Sequence, residues 1–300
     1  MDFFRDHYGE FAALLTAIFW TITALAFESA SRRLGSIAVN LLRLIIGFTF
    51  LSIFTLIYRG IILPFDAGAE NWLWLILSGI VGLVFGDLFL FKSYTIIGSR
   101  FAMLIMTLVP PITAFFGWLI MDEHLELIHF AGMTLTFSGI AMAIFSRPAK
   151  GERLSLKLAP LGILYAMGGV VGQALGLVLS KKGIKDYDPF AATQIRIIAG
   201  IAGFALLVTF MGRWKKTLHA LKDWKGMKSL SIGSFFGPFL GISFSLVSVK
   251  FTQTGIASTL MAMVPIFIIV PAVIMYKERV TLAEIIGAVV SVAGVALFFI

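Results

Sequence analysis

The 300-residue sequence has no cysteine, and only 13% of its residues are charged. The first absence excludes disulfides, iron-sulfur clusters and thiolate zinc sites. The second excludes a soluble enzyme or a disordered tail, since an ordinary soluble domain carries roughly 25% charged residues. Histidine is sparse too: His7, His124, His129 and His219 lack the spacing of metal ligands, so no metal and no cofactor is expected. No polar stretch is long enough to form a domain outside the apolar segments. What remains is 59% hydrophobic residues with a mean hydropathy of +0.97.

A helix that crosses a bilayer needs about 20 mostly apolar residues. Read between charge clusters, the chain offers ten such stretches, at 10–30, 38–58, 72–92, 100–121, 127–146, 158–180, 190–211, 229–249, 255–276 and 281–300. The expected fold class is therefore an all-α membrane protein with ten transmembrane helices. The start, MDFFRDHYGE, lacks the positive segment of a cleaved signal peptide, so the first span is expected to be retained. Loops 1/2, 3/4, 5/6, 7/8 and 9/10 hold 16 of the 24 Lys and Arg, and the opposite side holds six. Positive loops stay in the cytoplasm, so both termini are expected on the non-cytoplasmic side. The net charge of +8 thus reads as membrane orientation and not as a nucleic-acid surface. In loop 7/8, Trp214, Leu218, Leu221 and Trp224 alternate with lysines at helical spacing, the pattern of a short interfacial helix.

Shifting the chain by 155 residues superposes 82–145 on 237–300 without a gap. The coincidences include Gly82/Gly237, Gly86/Gly241, Met106/Met261, Pro110/Pro265, Glu123/Glu278, Gly132/Gly287 and Gly139/Gly294. A shift of 153 superposes RLIIG at 43–47 on RIIAG at 196–200. The chain reads as two five-helix copies, 1–146 and 157–300, joined by a linker at 147–156. An odd number of spans per copy turns the second copy upside down, and inverted repeats around a midplane site are typical of secondary transporters.

Each copy has an early Arg in its second helix, a glycine-rich third helix, a proline midway along its fourth, an acidic residue before its fifth and GxxxxxxG within it. This ordered set, found twice, resembles the EamA-type branch of the drug/metabolite transporter superfamily, and the resemblance covers essentially the whole chain. It implies an exporter of small metabolites such as amino acids in a prokaryotic cytoplasmic membrane. It also implies a central cavity lined mainly by helices 1, 3, 4, 6, 8 and 9. One duplicated chain can complete such a cavity, which is compatible with a monomer.

Ionisable residues inside spans are costly and point to function. Glu28, Arg43, Asp87 and Lys92 fall in the cytoplasmic third of helices 1 to 3, close enough to form either a structural ion-pair cluster or a gate. The cluster is one-sided: Arg196 matches Arg43, but Ile242 and Val247 match Asp87 and Lys92. Protons are the candidate coupling ion, with Asp87 the first carboxylate to test and Glu28 the second. Pro110 and Pro265 are expected to kink helices 4 and 9 around the site. Thr16, Trp20, Thr23, Met106, Thr107, Tyr165, Gln173, Thr259 and Met263 are the expected cavity residues. Glu123 and Glu278 read instead as caps on helices 5 and 10.

The rival readings are an exporter of lipophilic cations or drugs, a channel, and a membrane-embedded enzyme. The enzyme reading fails on motifs. Tyr187-Asp188 lies in a loop, Gly86-Asp87 is preceded by Val84 where GxGD needs glycine, and HExxH, GxSxG and the phosphate-binding GxxxxGK are absent.

Overall fold

The computed structural model describes residues 6–146, 160–276 and 281–300. The expected linker at 147–156 and Glu278 lie outside the described residues. Every regular element among the described residues is helical. The first half contains α1 (Tyr8–Leu34), α2 (Ser36–Arg59), α3 (Ala69–Ser78), a π-helical segment (Gly79–Gly86), α4 (Asp87–Met106), α5 (Val109–Met121) and α6 (Leu127–Ser146). The second contains α7 (Pro160–Ile184), α8 (Pro189–Phe210), α9 (Trp214–Ala220), α10 (Trp224–Ser234), a second π-helical segment (Phe235–Gly241), α11 (Ile242–Phe251), α12 (Thr254–Met261), α13 (Val264–Phe267), α14 (Ile269–Tyr276) and α15 (Leu282–Ala296).

Local chemistry sets the boundaries. Gly35, at φ +84°, turns α1 into α2, and its N–H closes on Ser31 O. The Asp188 side chain accepts from Ala191 N at 2.9 Å and Pro189 opens α8, where a missing N–H costs nothing. Thr281 and Glu284 form a reciprocal capping box at the start of α15.

Among the described residues, nine helices are long and apolar enough to cross a membrane, and Val109–Met121 is a shorter apolar helix. The fourth expected span therefore needs correction. The backbone stays helical from Asp87 to Met106, through the connection expected at 93–99, because SYTIIGSR has no proline and one glycine. The helix then breaks at Thr107–Leu108, and Pro110 sits in the first turn of α5. The ninth span breaks at Ala262–Met263, and Pro265 sits in the first turn of α13. Both prolines begin a new helix instead of bending a continuous one, since a first-turn N–H has no partner to lose.

The two breaks are 155 residues apart, and the two π-helical segments stand in the same register. The halves interdigitate. Helix α1 packs on α10 and α11, α2 on α8, α3 on α7, α5 on α12, and α6 on α15. Glycine permits these approaches. A Cβ on Gly176 would come within 2.6 Å of Gly82 Cα, and one on Gly172 within 2.7 Å of Gly86 Cα. Across α6 and α15, a Cβ on Gly294 would lie 2.7 Å from Gly132 O, and one on Gly287 2.6 Å from Gly139 O. In lipid, where helices gain little from apolar burial, such backbone contact is what drives association.

Candidate functional site

Asp87 is the first residue after the π-helical segment of the third span. The wider π turn is frequent at functional sites, and here it delivers a carboxylate to the junction of the two halves. Asp87 is 8% exposed. Its Oδ2 accepts from the Arg43 guanidinium of α2, and its Oδ1 accepts from Gln173 Nε2 of α7 at 2.9 Å. Gln173 Nε2 also lies 3.4 Å from Gly82 O. The Arg43 guanidinium stands 5.6 Å from the Phe27 ring centroid. Both carboxylate oxygens are thus engaged, one by each half of the chain.

Arg196 approaches the same place from α8. It is 5% exposed, and its Nη2 lies 3.5 Å from where a Cβ on Gly82 would sit. Among the described residues no hydrogen bond or ion pair reaches its guanidinium, and its buried Nε has no partner. Its charge acts on Asp87 from across the site. Two arginines therefore converge on one carboxylate.

Of the expected cluster, Arg43 and Asp87 meet. Lys92 is exposed further along α4, and Glu28 lies on α1 with its side chain outside the described residues. Of the expected cavity residues, Gln173 joins the ion pair. Thr16, Thr23 and Thr259 direct their hydroxyls to carbonyls of their own helices, Ala12, Phe19 and Gly255, at 2.7–2.8 Å. Met263 is buried in an apolar cluster with Ala13, Ala17 and Leu260. Trp20 and Tyr165 are half-buried: the Trp20 indole nitrogen packs on Gly241, and the Tyr165 ring lies 5.9 Å from that of Phe89. Met106 and Thr107 are half-buried at the break in the fourth span. Among the described residues no group of three or more His, Asp or Glu is arranged to hold a metal ion.

A second network, not anticipated from sequence, ties the face where both termini lie, His7 and Phe299 being in ring contact at 5.2 Å. Glu123 does not cap the helix that follows it. Its Oε2 accepts from Thr254 N at 2.8 Å and Thr254 Oγ1 at 2.6 Å, capping α12, while its Oε1 lies 2.6 Å from Lys181 Nζ. Lys181 also donates to Thr252 O at 2.7 Å, and Thr252 Oγ1 donates to Glu10 Oε1 at 2.6 Å. Four parts of the chain close on one another there: α1, the α5–α6 loop, the end of α7 and the α11–α12 loop. The pairing of Glu123 with Glu278 in the repeat was the available signal, but it names no partner.

On the same face Tyr187 Oη donates to Asp66 Oδ1 at 2.9 Å, and Arg59 pairs with Asp66. Burial, together with the Asp66 charge, pushes the Tyr187 phenol up to about 12. Burial works to raise the Asp66 carboxyl, but its bonds to Tyr187, to backbone and to Arg59 hold it below its usual range. On the opposite face Arg33 forms a fork with Asp223 at 2.9 and 3.0 Å, which holds the Asp223 carboxyl below the usual range.

The chain matches the EamA-like transporter family over residues 7–145 and again over 160–300. It is 27% identical over 195 residues to the uncharacterized transporter YvbV of Bacillus subtilis, a match covering 63% of this chain and 59% of that protein. It is 22% identical over 121 residues to an uncharacterized transporter of Archaeoglobus fulgidus, covering 40% of this chain and 41% of that one. The matches thus span about three fifths and two fifths of the lengths of these relatives. One crystal structure, 19% identical, superposes with a TM-score of 0.75 over 97% of this chain and 96% of its own, which shows a shared fold. The chain is an integral membrane protein that belongs to the EamA-like transporter family.

Proposed function

We propose that the protein is a secondary active transporter that exports small metabolites, amino acids or similar, by alternating access through a cavity between two inverted halves. The observation that carries this reading is the matched placement of irregular backbone. The π-helical segments at 79–86 and 235–241 and the breaks at 107–108 and 262–263 stand at equivalent points of the two halves. Each half thus brings broken or widened helices to the bundle interior, where free backbone groups and bending are tolerated only beside a cavity or protein. Family and relative names that denote transporters accord with a protein that is not an enzyme.

The contact of Asp87 with Arg43 and Gln173 favours metabolites over lipophilic cations, because a cation site needs a carboxylate without a competing partner. Protons are the coupling ion of this reading. Protonation of Asp87 would break its ion pair with Arg43 and let α2 and the third span move apart. The network of Glu10, Thr252, Glu123 and Lys181 would close the non-cytoplasmic side. The cytoplasmic face would be the one carrying Arg213, Lys215, Lys216, Lys222, Lys225 and Lys228, all exposed, whereas Lys181 and Lys185 opposite are paired with Glu123 and Glu70. The membrane would be a prokaryotic cytoplasmic one, and a monomer would suffice.

The test is efflux of a labelled amino-acid mixture from proteoliposomes, with and without a pH gradient. Saturable loss accelerated by the gradient supports proton-coupled export. Loss that rises linearly with concentration, without counterflow, overturns alternating access in favour of a channel. Because the chain has no cysteine, Ser29→Cys with Ser229→Cys, whose hydroxyls lie 3.4 Å apart, reports cytoplasmic opening directly. Oxidation should stop turnover and reductant should restore it.

A further inference from the structure

Arg43 and Arg196 occupy the same register of the two halves, in RLIIG and RIIAG. Their surroundings differ. Arg43 has Asp87; the residue that stands 155 positions after Asp87 is Ile242, buried in an apolar cluster with Ile195 and Leu246. Among the described residues Asp87 pairs with Arg43 and not with Arg196, and both its oxygens are engaged by Arg43 and Gln173. The Arg196 side chain is left with the residue 5% exposed, with no hydrogen bond or ion pair among the described residues and with a buried Nε lacking a partner. A charged side chain at membrane depth without a compensating partner is among the most costly arrangements a fold can keep.

Resting on the transporter reading, we propose that Arg196 binds the substrate and that the substrate carries a carboxylate, which takes at Arg196 the place Asp87 takes at Arg43. The planar guanidinium fork matches a carboxylate in two parallel hydrogen bonds. Its surplus is one positive charge, which a carboxylate neutralises; a phosphate dianion would leave an unneutralised negative charge in the same low-dielectric site. Gly82 lets Arg196 and the backbone of α7 come together here, since a Cβ on it would lie 3.5 Å from Arg196 Nη2 and 3.3 Å from Gly176 Cα. Gln173, half-buried beside Asp87, stands at the same junction for a polar group of the substrate. Bound substrate would balance the charge of the second half as Asp87 balances that of the first, so the loaded carrier is relieved of an unpaired charge that burdens the empty one.

The experiment measures efflux of the labelled amino-acid mixture from proteoliposomes co-loaded on the same side with L-leucine and 4-methylpentanoate, or with their amides, as competitors. In the wild type the acids should compete at concentrations about tenfold or more below the amides, as expected for losing one charge-assisted pair. Arg196→Gln should erase that preference, and Arg196→Lys, which keeps charge but not the fork, should keep its direction with weaker binding. Arg196→Lys decides the matter if the Gln variant does not fold. Amides that compete as well as acids in the wild type, or an unchanged preference in both variants, would overturn the inference while leaving transport intact. No saturable flux of any probe would instead bring down the transport reading, and the inference with it.

Discussion

Gln173 Nε2 donates to Asp87 Oδ1 at 2.9 Å, so a side chain from the second half holds the carboxylate that the first half pairs with Arg43. The ion pair lies within the first half, and the Gln173 bond makes it a joint between halves. Any relative movement of α7 and the third span must stretch this bond or carry Asp87 along.

Asp87→Asn should be costly in two ways. Removing one partner of a buried ion pair costs about 3–5 kcal/mol, because the other charge stays behind. The unfolding midpoint in detergent should fall, and acceleration of efflux by a pH gradient should disappear. Asp87→Leu with Arg43→Met should be more stable than either single change. Singles as stable as the wild type would show that the pair carries no burden, and unaltered proton dependence in Asp87→Asn would remove Asp87 from coupling.

Gly139→Val and Gly287→Val address the fifth and tenth spans. A Cβ on Gly287 would come within 2.6 Å of Gly139 O and 2.9 Å of Ala143 N, where backbone cannot yield as a side-chain tip can. Overpacking of this kind costs about 1–3 kcal/mol. Both variants should melt earlier in detergent than Gly60→Ala, whose Cβ meets nothing within 4 Å but which is strained at φ +71°. Equal melting for all three would mean that the glycine crossing contributes nothing beyond backbone strain.

Tyr187 offers a spectroscopic reading. A phenol held at about 12 against an ordinary 10.0 means that the neutral form is favoured in the fold. Its contribution is complete below pH 10 and is lost as pH rises through about 12. Tyrosinate absorbance of the wild type minus that of Tyr187→Phe should therefore show its step near pH 12. The stability gap between the two proteins should be level below pH 10 and narrow above it. A step at 10 would mean that Tyr187 is solvated and free of Asp66.

The repeat and the meeting of Arg43 with Asp87 were legible because both follow from local economy. Glycine recurs where backbones touch, and a charge inside a span demands another nearby. What was hidden depends on which strangers meet. Glu123 reads in sequence as a cap for the helix beginning at Leu127, yet it caps α12, 131 residues further along, because spatial neighbours and not chain neighbours supply the free amides. Thr16, Thr23 and Thr259 look like polar cavity residues in an apolar run, but each can satisfy its hydroxyl on its own helix and does so. The π-helical segments share no mark in residue type beyond glycine, Pro238 standing in the second alone, since hydrogen-bond register is a property of the folded backbone.

The crossing of α6 and α15 is its own image: Gly132 meets Gly294, and Gly139 meets Gly287, when one half is exchanged for the other. Every such contact thus needs a glycine from each half, and a change in either half is felt by the other. A bulky residue acquired in one half cannot be accommodated by that half alone. The two copies are free to diverge wherever they face different surroundings, as Asp87 and Ile242 have done, but along this seam they are bound to change together or not at all.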